Sequence, residues 1–375
     1  MFQQVYRQKS LRFSQKMNRE KLVFSIGILR HFINDSIGIS RENNAITGFE
    51  LAESLLDASA YNTYIETVGN KADILYLRSK EGLTEMVTYS YLDYIKRLSQ
   101  KFDWKNEKMV LAFDYTDEEF YGDVQGIDIH GWIGKDGVTG KFKFLTCSII
   151  SDDVPEKIPL ISIPISIGHY KSYAITHCLS LIKQYIGNIQ LILFDRGFYD
   201  KDLMYELTKL GYPYLIFVPK QKDKQEILFP LEKEEHIAII YDFTVNKDKT
   251  KYKGETYLAF LKEIYDPKSD KGYDWVFATN VEEVALSDII ETYKKRWRIE
   301  TSFRVQDDAQ IKCKSKEMKI RYFLFVFQQV LQTQWICFYK NEVSFKEFII
   351  EMHKTCKELV ANPKRNYGKK RESRS

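Results

Sequence analysis

Two patterns of apolar residues follow each other along the chain, and the change falls near residue 105. Before it, the first 105 residues are predicted to be mostly helical. Two helical runs, residues 71–79 and 83–101, are separated only by the short turn Lys80-Glu81-Gly82. This outline predicts a helix-turn-helix unit whose second helix would contact DNA, although any two-helix hairpin has the same outline.

From residue 109 onward, short apolar runs typical of strands take over. The predicted strands are residues 109–114, 129–135, 141–150, 190–195 and 214–218, and the predicted helices are residues 170–186 and 201–210. The order βββαβαβ predicts an α/β sheet. We expect that sheet to be mixed, because the first strands are close enough along the chain to pair as a meander.

The stretch 287–308, SDIIETYKKRWRIETSFRVQDD, predicts one continuous helix. Ser287 is a favourable N-cap, acidic residues occupy the first turn, and neither Gly nor Pro interrupts the run. At about 100° per residue, a narrow wedge of the helix surface holds Tyr293, Arg296, Glu300, Arg304 and Asp307. A solvated helix with Arg–Glu pairs has the same pattern. Two more helices are predicted at residues 322–339 and 344–359.

Charge is distributed unevenly over the 375 residues. The net charge is +4, but residues 1–30 carry +6 and residues 361–375 carry +5, which leaves −7 for the middle. Two basic ends suggest a polyanionic partner held at the edges of the protein, although frayed, solvated termini would carry the same charge.

The remaining composition narrows the class of protein. A hydrophobic content of 44% allows a large core in two or three domains. Five scattered cysteines without a CxxC pair argue against a disulfide framework and against a zinc site. No signal peptide is evident. The apolar stretches 22–33 and 322–339 predict buried helices rather than membrane spans, because the first is short and the second contains four glutamines.

Two predicted strands end in an aspartate, Asp114 and Asp195. A single aspartate there is also explained as a turn residue or a helix N-cap. Active sites of α/β sheets gather at strand ends, however, and Glu300 supplies a third carboxylate. Three convergent carboxylates are what a pair of Mg²⁺ ions requires, since hard cations prefer oxygen ligands. Asp117 is the rival to Asp114, which is preferred because it directly ends the apolar run.

Three ordered motifs carry a family resemblance: FDYTD around Asp114, FDRGFYD around Asp195 and YKKRWRIETSFR around Glu300. Together they resemble the DDE transposases of insertion sequences. Within that family the chain is most similar to the group with a Tyr-(2)-Arg-(3)-Glu-(6)-Lys signature, the insertion-sequence family four type. Tyr293, Arg296 and Glu300 stand at the signature spacings, but Asp307 occupies the position of the signature lysine.

The resemblance implies a fold and a division into domains. It implies an α/β fold in which a ribonuclease H-like catalytic core carries a β-rich insertion and follows a helical N-terminal domain. The expected segments are the N-terminal domain 1–105, the core 106–220 and 284–345, the insertion 221–283, and the C-terminal helix and basic tail 346–375. Strand-like runs at 237–245, 256–264 and 275–279 agree with the insertion.

The resemblance also implies an activity: metal-dependent cleavage at transposon ends and strand transfer into target DNA. Asp114, Asp195 and Glu300 would be the catalytic metal ligands, with two Mg²⁺ ions for which Mn²⁺ would substitute. Residues expected to contact DNA are Tyr293 and Arg296. For the missing lysine, the helix positions favour Arg304 as the replacement, with Lys312 as the alternative.

The implied partners are double-stranded DNA, as terminal inverted repeats and as target, and a second copy of the chain in a homodimer on DNA. The expected location is cytoplasmic and nucleoid-associated, with no membrane partner. Two alternatives stay open: a ribonuclease H-like nuclease without strand transfer, and a non-catalytic DNA-binding protein derived from a transposase.

Overall fold

A computed structural model describes residues 17–38, 47–68, 71–81, 83–134, 136–266, 270–282 and 288–362. Its α-helices, in chain order, are α1 (Arg19–Ile37), α2 (Gly48–Tyr61), α3 (Lys71–Glu81), α4 (Thr84–Lys101), α5 (Lys171–Ile182), α6 (Lys201–Lys209), α7 (Lys222–Leu228), α8 (Ile289–Lys294), α9 (Trp297–Gln306), α10 (Met318–Phe338) and α11 (Phe345–Ala361). The predicted N-cap Ser287, the turn residue Gly82 and the basic tail beyond residue 362 lie outside the described residues.

The β-strands are β1 (Met109–Phe120), β2 (His130–Gly131), β3 (Gly140–Ile149), β4 (Pro159–Ile165), β5 (Ile189–Phe194), β6 (Tyr214–Phe217), β7 (His236–Lys247), β8 (Thr250–Asp266) and β9 (Lys271–Thr279). They form one sheet in the order β2-β3-β1-β5-β6-β9-β8-β7, with β4 also paired to β3. The β1–β5 and β5–β6 pairs are parallel and the others antiparallel. The predicted mixed α/β sheet is therefore confirmed.

The chain divides into two compact units, and the first comprises residues 1–95 and 302–375. In this unit α11 packs against α1 and α2, and α10 packs against α1 and α3. Capping boxes start α2 at Thr47 and α11 at Ser344, each closed by a glutamate three residues later. Helices were predicted over most of these ranges, because their apolar positions follow the helical period.

Helix α10 has glutamines at four buried positions, Gln328, Gln329, Gln332 and Gln334. The side-chain amide of Gln332 donates to the backbone carbonyl of Ser302 at 2.6 Å. Within the described ranges no helix is long and apolar enough to span a membrane. The prediction of buried helices at 22–33 and 322–339 is confirmed.

The second unit, residues 96–301, contains the whole sheet. Strand β1 lies inside it, between β3 and β5, and its first five residues are mostly buried apolar side chains. The rings of Phe113 and Phe194 stack across the parallel pair with centroids 5.5 Å apart. The strands of the expected insertion join the same sheet, since β9 pairs with β6 and continues it through β8 and β7.

Several strand predictions were wrong in detail. Strand β1 does not end at Asp114 but runs to Phe120, because β3 pairs with it over its polar half. The strand predicted at 129–135 is reduced to the two residues of β2, and β4 and α7 were not predicted. The helix predicted at 170–186 ends at Ile182.

The single helix predicted over 287–308 is also wrong. It is divided into α8 and α9 by a break at Lys295 and Arg296, and α9 gives way to a 3-10 turn, Asp307–Ala309. In the break, the N–H groups of Arg296, Arg298 and Ile299 bond to carbonyls only three residues back. The wedge of five residues therefore does not lie along one helix.

Candidate active site

The β-sheet register sets the two aspartates beside each other. Phe113 and Phe194 are the last paired residues of the parallel strands β1 and β5, so Asp114 and Asp195 follow at the same level. The Asp195 carboxylate accepts from the Arg196 N–H at 2.6 Å and starts a 3-10 turn. The Asp114 carboxylate accepts from the Tyr115 N–H at 2.8 Å, within the continuing strand.

A second contact joins the two aspartate motifs. The Tyr115 ring stacks on Phe198, with centroids 4.8 Å apart and the planes 6° from parallel. Phe198 is buried, and it closes the 3-10 turn that begins after Asp195. The stack therefore fixes the turn that carries Asp195 against the strand that carries Asp114.

Arg296 brings the third carboxylate to this pair. Its Nη1 donates to Asp114 at 3.0 Å and its Nη2 donates to Glu300 at 2.5 Å. The Arg296 side chain is only 6% exposed, whereas the Glu300 side chain is 41% exposed. The break between α8 and α9 thus turns this arginine inward, and Glu300 lies one turn further along the chain.

The pKa of the Asp114 carboxyl is shifted by burial and by its charged neighbours. Burial raises the pKa of its carboxyl to about 6, against the lowering effects of Arg296 and the Tyr115 N–H. The charges of Glu300 and Asp195 raise it further. Glu300 and Asp195 therefore both lie within electrostatic reach of the Asp114 carboxylate.

The three carboxylates of Asp114, Asp195 and Glu300 are chemically suited to Mg²⁺, because a hard cation prefers oxygen ligands. Asp114 and Asp195 each accept from a backbone N–H, and Glu300 accepts from Arg296. The three carboxylates do not form a finished binding cluster: in the described part of the chain no three His, Cys, Asp or Glu side chains are grouped to hold a metal ion. The guanidinium of Arg296 supplies the positive charge between Asp114 and Glu300. Its Nε is buried and has no hydrogen-bond partner among the described residues.

Tyr293, a predicted DNA contact, is almost fully buried. Its ring packs among Phe217, Trp275 and Phe277, with the closest centroid, that of Phe277, at 5.0 Å. Burial raises the pKa of the Tyr293 hydroxyl to about 12. The Arg296 guanidinium lies 5.7 Å from the ring centroid. In this state the ring supports Arg296, and its contact with DNA remains a prediction.

Asp117, the rival to Asp114, lies in the polar half of β1 and forms an ion pair with Lys141 at 3.0 Å. Three positions after Asp114 on a strand, it faces the other side of the sheet. This placement favours Asp114 as the member of the carboxylate group.

The residues proposed to replace the signature lysine occupy different kinds of position. Arg304 is exposed on α9, and no ion pair or hydrogen bond of its side chain occurs in the described residues. Asp307 begins the 3-10 turn and is also exposed. Lys312 is exposed, while its backbone pairs with the segment around Tyr64. Their roles on DNA remain predictions.

Sequence reasoning missed Asp152, in the loop after β3. Its carboxylate pairs with Lys295 and Arg298, on either side of Arg296, at 2.6 Å each. The sequence contains no signal for this contact, because 143 positions separate Asp152 from Lys295 and both residues have the pattern of solvated surface charges.

One family comparison bears on this site. Residues 164–327 match the model of the family described as Transposase DDE domain. The match supports a DDE transposase. It includes Asp195 and Glu300, covers less than half of the chain, and begins after Asp114. It suggests an enzyme of the nuclease and transesterase kind.

Comparisons with solved structures and with curated proteins give weaker evidence of family than this match does. A cryo-EM structure of the piggyBac transposase synaptic complex with hairpin DNA is similar to this chain, at 12% identity and a TM-score of 0.49. The match covers 90% of this chain and 80% of that chain. A TM-score below 0.5 does not establish a shared fold. No curated protein matches the sequence.

Proposed function

We propose that this chain is a DNA transposase of the insertion-sequence type, which cuts transposon ends and joins them to target DNA. One observation carries the proposal. Asp114 and Asp195 follow paired residues of neighbouring parallel strands, and Arg296 joins Glu300 to the same point. The family match over residues 164–327 supports the same class of enzyme.

A ribonuclease H-like core is part of the proposal. The strand order β4-β3-β1-β5-β6, in which three antiparallel strands are followed by two parallel ones, supports it. Asp114 lies on β1, and Asp195 follows β5, the parallel neighbour of β1. Strands β7, β8 and β9 would be the insertion between the second aspartate and the glutamate.

Asp114, Asp195 and Glu300 would hold two Mg²⁺ ions, for which Mn²⁺ would substitute. When bound, such ions supply Lewis-acid chemistry, in which the attacking oxygen is activated and the leaving oxygen is stabilised. Water would attack the phosphodiester bond at a transposon end and release a 3′-hydroxyl. That hydroxyl would then attack a phosphodiester bond of target DNA, so one bond forms as another breaks.

Arg296 and Tyr293 would act next to the scissile phosphate. Because the guanidinium of Arg296 is bonded to two carboxylates in the described state, contact with phosphate requires at least one of those pairs to open. Arginine suits such an exchange, since its planar fork binds carboxylate and phosphate in the same geometry. Arg304 would supply the phosphate contact in place of the signature lysine, with Lys312 as the alternative.

The partners that follow are double-stranded DNA, as transposon ends and as target, and a second copy of the chain on that DNA. Helices α3 and α4 are the predicted helix-turn-helix and the first candidate for reading the end sequence. The place of action would be the cytoplasm, in association with the nucleoid.

The test uses the DNA that flanks the coding sequence. Short inverted repeats from both sides are incubated with the full-length chain and Mg²⁺, and cleaved and joined products are separated on denaturing gels. We expect both products, and their loss with EDTA or in Asp195→Asn. Cleavage without joined products would identify a nuclease instead, and binding without cleavage would identify a non-catalytic DNA-binding protein.

A further inference from the structure

The segment that carries Arg296 and Glu300 is attached to the sheet at two places. One is the bond from Arg296 to Asp114 in the middle of β1. The other is the loop after β3, where the Asp152 carboxylate accepts from Lys295 and Arg298 at 2.6 Å each. Arg298 also donates to the Ile150 carbonyl at 2.7 Å.

The loop that contains Asp152 is itself bound to β1. The N–H of Ile150 donates to the carbonyl of Val110 at 2.9 Å, and the N–H of Val110 donates to the Ser151 hydroxyl at 2.6 Å. Val110 precedes Asp114 by four residues on the same strand. Lys295 and Arg298 are therefore held relative to the strand that carries the first aspartate.

The break between α8 and α9 needs such contacts. Residues 289–306 contain neither Gly nor Pro, so local propensity favours a continuous helix there. In the observed break, N–H groups bond instead to carbonyls three residues back. The side chains of Lys295 and Arg298 both bind the Asp152 carboxylate. Tertiary contacts, rather than sequence propensity, hold the turn that directs Arg296 inward.

The charge on Asp152 is stabilised by this arrangement. Hydrogen bonds from Lys295 and Arg298 hold the pKa of its carboxyl at about 2 although the group is largely exposed. Two cations on one carboxylate, with Arg298 also bonded to a backbone carbonyl, form a small network rather than an isolated surface pair. Networks of this kind are the exception to the weakness of exposed ion pairs.

We propose that Asp152 is a positioning residue, which holds the 295–298 turn against the sheet and so places Glu300 beside Asp114. The proposal rests on the proposed function, because it assigns Glu300 a metal. Asp152 does not itself touch the reacting atoms. It acts through Lys295 and Arg298, one residue before and two residues after Arg296.

The chain provides a matched control in the next residue. Asp153 is exposed, lies in the same loop, and forms no ion pair or side-chain hydrogen bond among the described residues. Asp153→Asn therefore makes the same change in net charge, with the same general effect on DNA affinity, without removing the contact. Asp152→Glu keeps the carboxylate and tests rescue.

The first measurement is hydrogen exchange of the full-length chain without DNA. In Asp152→Asn the backbone amides of Arg298 and Ile299 should exchange about 10-fold faster than in the wild type, since their partners belong to the released turn. Asp153→Asn should match the wild type, and Asp152→Glu should recover most of the protection. Equal exchange in Asp152→Asn and Asp153→Asn would overturn the proposal, whatever the enzyme does.

The second measurement is Mg²⁺ titration of the same DNA-free proteins by calorimetry, followed by end cleavage at saturating DNA. Asp152→Asn should weaken Mg²⁺ binding and slow cleavage by about 10-fold while DNA affinity equals that of Asp153→Asn. If Asp152→Asn exchanges faster but binds Mg²⁺ and cleaves DNA as the wild type does, the turn does not position Glu300. That result would also overturn the proposal. If the wild type neither binds Mg²⁺ nor cuts, the proposed function fails, and the exchange data alone decide whether Asp152 holds the turn.

Discussion

Arg296 and Asp114 lie 182 positions apart in the sequence, and the guanidinium of Arg296 donates to the Asp114 carboxylate at 3.0 Å. Both side chains are largely withdrawn from water, at 6% and 17% exposure. Burying a charge is costly unless an opposite charge accompanies it. Removal of one partner alone should therefore destabilise this unit, whatever the pair does on DNA.

Arg296→Met should lower the free energy of unfolding by about 3 kcal/mol, because it leaves the Asp114 charge buried without its cation. Adding Asp114→Asn should recover about 1–3 kcal/mol of that loss, since the uncompensated charge is then gone. Urea unfolding of the single and double variants measures the coupling. Arg304→Met, at an exposed position with no ion pair to any residue that the structure describes, should change stability by less than about 0.5 kcal/mol. Strictly additive losses in the double variant would contradict the coupling.

The carboxylates are tested by substitutions that remove charge with little change of shape. Asp114→Asn, Asp195→Asn and Glu300→Gln should each abolish end cleavage in Mg²⁺ while DNA affinity stays nearly intact. The reason is that a neutral amide is a poor ligand for a hard cation. Gel-based cleavage and fluorescence anisotropy on the same DNA provide the two readouts.

Asp117→Asn is the matched control for Asp114→Asn, since it removes the same charge from the same strand but from the pair with Lys141. It should keep most of the cleavage activity. An active Asp114→Asn together with an inactive Asp117→Asn would exchange the roles of the two aspartates.

The sequence located these elements better than it located their ends. Asp195 follows its strand because both the apolar run and the pairing with β1 stop at Phe194. The same reasoning failed for Asp114, since β1 continues through polar residues that pair with β3. The residues of β1 beyond Asp114 are polar because this part of the sheet is partly exposed. A run of apolar residues predicts only a strand that is buried on both faces, so the exposed half of β1 was missed.

The break at Lys295 and Arg296 could not be predicted from the sequence, for a different reason. A helix over 287–308 is the correct expectation from capping, acidic first-turn residues and the absence of Gly and Pro. The contacts of Lys295 and Arg298 with Asp152 come from a loop 143 or more positions away. Tertiary contacts override propensity here, and propensities alone cannot show it.

Tyr293 offers a test of whether its hydroxyl or only its ring is used. Tyr293→Phe should leave the free energy of unfolding within about 1 kcal/mol of the wild type, because the ring stays among Phe217, Trp275 and Phe277. Tyr293→Ala should cost about 3–5 kcal/mol through the cavity it leaves.

If the hydroxyl also holds phosphate, Tyr293→Phe should slow end cleavage about 10-fold in a protein that is otherwise stable. Single-turnover cleavage at saturating DNA measures this. Wild-type cleavage by Tyr293→Phe would limit this residue to packing beneath Arg296.

The basic C-terminal segment is predicted from its composition alone, because residues 363–375 lie outside the described part of the chain. Deleting them removes six Lys/Arg and Glu372, which lowers the net charge by five. If these cations touch DNA phosphates, affinity should fall for all sequences alike, and the salt dependence should weaken by up to about 0.9 in slope per lost contact. Titrations at several salt concentrations measure the slope, and an unchanged slope would make the segment a bystander.

The last prediction concerns the position of the signature lysine, where this chain has Asp307. An aspartate would repel phosphate, so another cation should replace the lysine. Arg304 is the better candidate: it is exposed on α9, one turn after Glu300 in the same helix, and its guanidinium can bind phosphate through two parallel bonds. Lys312 is the alternative, an exposed side chain on a segment whose backbone is paired with residues 63–65.

Arg304→Ala should therefore slow end cleavage much more than Lys312→Ala does, by at least about 10-fold, since each charge-assisted phosphate bond contributes about 1.5–3 kcal/mol. Asp307→Lys should be tolerated or mildly activating, because it restores a cation near the DNA backbone. The competing idea is that Asp307 is itself a metal ligand, in which case Asp307→Lys would inactivate the enzyme as completely as Glu300→Gln. Cleavage assays of the four variants side by side separate these cases. A larger loss in Lys312→Ala than in Arg304→Ala would transfer the missing contact to the segment after the 3-10 turn.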